Sequence, residues 1–189
     1  MTRRSSEVYP GQRSKEKREL FRPYQLRVIE DFYKYRFFEL FGNCCFKCGM
    51  PEKARQEIGS PPILCIDHHL PMALGGHLTP GNLVSLCREC NQRKLDKHPS
   101  EFYTLEELAR LQPLLDTQQR LLDFSFNWEQ WRQNREAYLL SVGIDKETVR
   151  AALHDESFIG YVGAEEARIG VTFTFGGDSL QRLRDSKPQ

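Results

Sequence analysis

Leu26, Val28, Ile29, Phe32, Tyr33, Phe37, Phe38 and Phe41 recur at helical spacing between Pro23 and Gly42. That period predicts one helix over 21–42 that packs on a core, with proline in its first turn and glycine at its stop. The aromatic stripe reads as core. Residues 1–20 are different: rich in Arg, Lys and Ser and without an apolar period, they read as a flexible basic arm. Beyond Gly42 the apolar runs shorten. Ile63 to Asp67 predicts a short strand, Leu83 to Leu86 a returning strand, and Cys87 to Asp96 a helix. Pro71, Gly75, Gly76, Pro80 and Gly81 mark a long loop between the strands. The order is strand, loop, strand, helix.

Residues 99–189 predict a mostly helical extension. Thr104 and Glu107 fit a capping box that opens a helix, which Pro113 kinks or restarts. Asn127 to Ser141 predicts a second helix, closed by Gly143, with Trp128, Trp131 and Tyr138 as core. Asp145 caps a third, Lys146 to His154. Ile169, Val171 and Phe173 alternate with Gly170, Thr172 and Thr174, which predicts a C-terminal strand over 168–175. The class expected is α+β.

The overall charge of +1 conceals an asymmetry. Residues 1–50 carry 11 Lys and Arg against 6 Asp and Glu, a net of +5, whereas residues 101–189 carry 10 against 15, a net of −5. A basic first third next to a cysteine motif suits contact with phosphate backbones, and a solvated helix face is the plainer alternative. No run is apolar enough to span a bilayer, and the N-terminus lacks the apolar core of a signal peptide. A cytoplasmic protein with no membrane partner is expected.

The cysteines carry the sharpest signal. Cys45 and Cys48 form one Cys-x-x-Cys pair, Cys87 and Cys90 the other. Two such pairs are the usual ligand set of a closed structural zinc site, and metal would stabilise a segment too small to bury much core. Cys44 offers a Cys-x-x-x-Cys variant, and Cys65 reads as a buried free thiol. Between the pairs lies Asp67-His68, and Asn91 follows the last cysteine. Imidazole can take a proton from water near neutral pH, while carboxylate and amide oxygens suit Mg²⁺ or Mn²⁺. That is hydrolytic chemistry at a phosphodiester.

The set Asp67-His68, Pro71, Gly75-Gly76, Asn82-Leu83, Cys87-x-x-Cys90-Asn91 and Lys94 resembles the HNH nuclease family over residues 43–98. The resemblance implies a ββα-metal fold with structural zinc at Cys45, Cys48, Cys87 and Cys90. It implies a metal-dependent endonuclease acting on DNA, double-stranded in the first instance, with His68 as general base. Asp67 and Asn91 map onto the ligands of a catalytic Mg²⁺ or Mn²⁺, and Asn82 onto the residue that braces the loop and orients the base. Arg88, Arg93 and Lys94 are expected phosphate contacts on the helix that carries Asn91. His77 is expected at the scissile phosphate or the leaving group, and His69 in a structural or solvated role. One motif makes one nick, so double-strand cleavage calls for a homodimer or two successive nicks. A zinc-stapled nucleic-acid-binding module without catalysis is the rival reading. The complete Asp67, His68, Asn82 and Asn91 set speaks against it.

Overall fold

A computed structural model describes residues 10–52 and 62–154. The chain divides into two compact units, Met1–Trp128 and Glu129–Gln189. In the first, helix α1 (Pro10–Phe21) leads through a short 3-10 turn at Arg22–Tyr24 into helix α2 (Arg27–Leu40). Strand β1 (Leu64–His68) and strand β2 (Leu83–Cys87) follow, then helix α3 (Arg88–Lys94), helix α4 (Pro99–Phe102) and helix α5 (Leu105–Leu121). The two strands pair antiparallel, with Leu64 opposite Cys87 and His68 opposite Leu83. A two-stranded sheet running into α3 beside a four-cysteine cluster is an α+β arrangement consistent with the ββα-metal fold.

Every residue of β2 is buried, which is why it reads as an apolar run, interrupted only by Ser85, rather than an alternation. The core joins Phe37 of α2 and Phe41 at its C-cap, Leu64 of β1, Leu83, Val84 and Leu86 of β2, and Leu111 and Leu115 of α5. The aromatic stripe of α2 therefore packs inward, and α5 belongs to the same core as the motif. Gln118, fully buried on α5, accepts hydrogen bonds from the N–H groups of Gly81 and Leu83 and donates to Leu83 O at 2.6 Å. One side chain thus replaces the missing ladder partners where β2 begins.

Four elements differ from the sequence prediction. The helix expected over 21–42 begins only at Arg27, and Pro23 lies in the separate 3-10 turn, which Gln25 at φ 59° and the extended Leu26 divide from α2. Pro10–Phe21 is helical, inside the segment expected to be a flexible arm. Its Lys, Glu and Arg residues are good helix formers, and Pro10 stands at the first position, where a missing N–H is harmless. Helix α5 runs across Pro113 without restarting, because that proline lies on the exposed side, where the carbonyl left without a partner meets water. The segment expected as one helix over 127–141 is two, α6 (Trp128–Gln133) and α7 (Arg135–Val142). They are divided by Asn134, whose side chain accepts from Ala137 N at 3.0 Å and so caps α7.

The last described helix of the second unit is α8 (Lys146–His154), capped by Asp145 through Thr148 N at 2.9 Å. Trp131, Tyr138, Leu139, Ile144 and Val149 are buried there. Gly143 closes α7 with φ at 102°. The strand expected over 168–175 lies outside the described residues. No described helix is long and apolar enough to cross a membrane.

Candidate active site and metal centre

The four cysteines of the two pairs come together. Their sulfurs all lie within 4.8 Å of one another, and Cys48 Sγ is 3.7 Å from Cys87 Sγ. Zinc–thiolate bonds of about 2.3 Å at tetrahedral angles put sulfurs about 3.8 Å apart, so the cluster fits the ion. Cys45, Cys87 and Cys90 are buried and Cys48 is exposed. Local backbone explains the placement. The first knuckle turns through Gly49, at φ 73°, with Cys45 N bonded to Met50 O and Gly49 N to Cys45 O. The second is the start of α3, where Cys87 caps the helix by accepting from Cys90 N at 3.4 Å.

The knuckle is tied to the sheet through Phe46 N to Ser85 O and Ser85 Oγ to Cys44 O, so Cys44 stays outside the cluster. Lys47 pairs with Glu107 of α5 at 2.6 Å. Burial works against the Glu107 carboxylate, yet hydrogen bonds from Lys47 and Thr104 N hold its pKa below the ordinary value. Cys65 donates to Leu86 O at 3.2 Å, and burial pushes its thiol up to about 11. It is an inert thiol on the strand.

Asp67 and His68 occupy the end of β1. The loop that follows is braced by Asn82, which accepts from Leu70 N at 2.7 Å and donates to Leu70 O and His77 O. His69 N bonds Asn82 O, extending the ladder one step past the strands. The loop closes so tightly that a Cβ on Gly76 would lie 1.8 Å from Leu70 O, so only glycine fits.

Lys94 departs from expectation. Its side chain is 1% exposed, pairs with Asp67 Oδ2 at 2.9 Å and donates to His68 O. It is a structural cation inside the site and presents nothing to a phosphate. Its place on α3 explains this: Asn91 and Lys94 are one helical turn apart, and the face carrying Lys94 turns to β1. Burial opposes ionisation of Asp67, but His68, when its ring is protonated, and Lys94 overcome it and hold the carboxyl below its usual range. Asn91 donates to Cys65 Sγ at 3.4 Å, which anchors it at the β1 side of α3. Arg88 and Arg93 are exposed on the same helix, and Arg93 also donates to Cys90 Sγ at 3.7 Å.

Glu16 of α1 was missed by sequence reasoning. Its carboxylate accepts from Leu78 N at 2.9 Å and meets His68 Nε2 at 3.3 Å and His77 Nδ1 at 2.9 Å. Burial resists the charge, but the bonds from His77, Leu78 N and His68 hold the carboxyl below its ordinary value. No periodicity flags such a residue, because the apolar contacts of α1 are confined to its end, at Leu20 and Phe21, and Glu16 carries no apolar signal. His69 stacks on Tyr103 at 5.8 Å, and burial beside Lys94 lowers its pKa to about 4. It stays neutral.

This geometry holds a histidine at a strand end, an acid beside it, an asparagine-braced loop, and a helix whose N-terminus carries half of a thiol knot. Residues 45–104 match the family model of the HNH endonucleases. The match covers 60 of the 189 residues, from the first zinc-knuckle cysteine to the cap of α5. It includes Asp67, His68, Asn82, Asn91 and all four clustered cysteines, and excludes α1 with Glu16. Searches of curated proteins and of solved structures gave no match.

Proposed function

We propose that the HNH segment is a metal-dependent endonuclease that hydrolyses DNA phosphodiester bonds. The observation that carries this reading is the placement of His68 and Asp67 at the end of β1. They lie on a loop braced by Asn82 and against the helix that bears Asn91. Binding alone does not require the combination of Asp67, His68, Asn82 and Asn91.

In the proposed reaction His68 takes the proton of an attacking water. The new P–O bond forms as the bond to the 3′ oxygen breaks, and the departing oxygen takes a proton from water, leaving a 5′-phosphate and a 3′-hydroxyl. Asp67 Oδ1 and the Asn91 amide oxygen are hard donors suited to Mg²⁺ or Mn²⁺. Such an ion supplies Lewis-acid stabilisation of the phosphate and of the leaving oxygen. Asn82 fixes the backbone on both sides of the loop, so the main chain beside His68 is held in place. Arg88 and Arg93 supply phosphate contacts from the exposed side of α3. The four-cysteine site holds zinc and takes no part in the chemistry.

One observation favours the non-catalytic alternative, a zinc-stapled nucleic-acid-binding module: the Lys94 ammonium already neutralises Asp67, where a divalent cation would be held. Cation dependence separates the two. Nicking of a plasmid should be lost on chelation and return with Mg²⁺ or Mn²⁺, and Asn91→Ala should raise the cation concentration required. Asp67 variants are poor probes, because removing that carboxylate also strands the buried Lys94. DNA binding with no nicking at any cation concentration is the result the alternative demands.

A further inference from the structure

Glu16 lies outside the matched segment, on a helix that shares no strand or knuckle with it, yet its carboxylate reaches the base itself. A carboxylate only accepts hydrogen bonds, so the His68 nitrogen that faces it carries the hydrogen. That nitrogen is Nε2, at 3.3 Å. In the neutral ring the lone pair is then at Nδ1, which faces Asp67 Oδ1 at 3.9 Å, beyond hydrogen-bond length. Leu78 N and His77 Nδ1 hold the two carboxylate oxygens from the other side of the loop, so Glu16 has little freedom to turn away.

We propose that Glu16 is the positioning residue of this site: by binding Nε2–H it fixes His68 in the tautomer whose basic nitrogen, Nδ1, faces Asp67. The proposal rests on the reading of His68 as general base. An orienting acid behind a histidine base is a recurrent arrangement, because it selects the tautomer and steadies the imidazolium formed as the proton arrives. Here the acid comes from outside the motif, so the catalytic unit is larger than residues 45–104.

The test pairs a spectroscopic readout with kinetics in the full-length, zinc-loaded chain. Nitrogen-15 NMR of the histidines should show His68 of the wild type protonated at Nε2 and unprotonated at Nδ1. Glu16→Gln, close in shape but uncharged, should shift that balance toward the other tautomer. It should lower kcat by about 10–100-fold, with KM little changed. Glu16→Asp should recover part of the rate, since it restores the charge on a shorter arm. Wild-type His68 protonated at Nδ1, or a Glu16→Gln protein with an unchanged tautomer, overturns the proposal. Faster cleavage by Glu16→Gln also overturns it, since Glu16 would then be a plug that blocks the site. If no variant and no wild type cleaves DNA, the nuclease reading fails while the tautomer measurement still decides what Glu16 does.

Discussion

Each nitrogen of His68 faces a carboxylate, and the carbonyl of His68 accepts from Lys94. Of these partners Lys94 is the one whose loss has the clearest energetic consequence. It is 1% exposed and bound to an acid that is itself mostly buried. Replacing it with Met keeps the volume but leaves Asp67 charged, buried and unpaired. Breaking a buried pair in this way typically costs about 3–5 kcal/mol. Lys94→Met should therefore melt well below wild type in a thermal scan, whereas Arg93→Met, on the exposed side of the same helix, should melt within a few degrees of it. Equal melting of the two variants would remove Lys94 from the structural account.

At the scale of elements, the four-cysteine cluster, a fit for zinc, and one ion pair tie the motif together. Metal binding in such knots is folding energy, so Cys48→Ser and Cys87→Ser should each lower zinc content, measured by elemental analysis, and thermal stability. Cys65→Ser should leave zinc at one equivalent. Loss of metal from Cys65→Ser alone would assign the ligands wrongly. The Lys47–Glu107 pair, which ties the first knuckle to α5, has a pH signature. The folded pKa of Glu107 is depressed below its ordinary 4.5, so the pair stabilises above that value and the contribution disappears as pH falls through the folded pKa. The melting-temperature gap between wild type and Glu107→Gln should accordingly be full at pH 7 and shrink below pH 4.5. A gap independent of pH would show that packing, not charge, accounts for it.

The elements of the motif were legible for definite reasons. The Cys-x-x-Cys pairs, the apolar run of β2 and the capping residues Thr104 and Asp145 each carry their signal within a few residues. What the sequence hid is long-range and polar. Lys94 looks like any exposed helix lysine until β1 brings Asp67 to it. Gln118 gives no sign that it completes the ladder at Gly81 and Leu83. Glu16 sits among arginines and lysines and meets its histidines 52 and 61 residues away. The division of 127–141 at Asn134 is a cap competing with helix propensity, which a periodic reading averages over.

For the whole molecule, the basic N-terminal third bears on DNA affinity. Arg3, Arg4, Arg13, Lys15, Lys17 and Arg18 are the expected phosphate contacts of this segment. Each neutralised phosphate adds about 0.9 to the slope of log affinity against log salt. Deleting residues 1–9 should flatten that slope and leave cleavage at saturating DNA unchanged. Deleting residues 1–18, which from sequence alone should spare the chemistry, should also slow cleavage, because it removes Glu16. An unchanged slope in both truncations would retire the segment as a DNA contact.

The central claim is that His68 is the base of a cation-dependent phosphodiester hydrolysis, and one assay reaches it directly. Purified wild type and His68→Ala, both loaded with zinc, are incubated with supercoiled plasmid in Mg²⁺, in EDTA, and in EDTA followed by excess Mg²⁺. The account predicts nicked circles from wild type in Mg²⁺, none in EDTA, and recovery on re-addition. His68→Ala should bind the same DNA but cleave it about 10²–10⁴-fold more slowly. Cleavage by His68→Ala at the wild-type rate, or undiminished wild-type cleavage in EDTA, would contradict it.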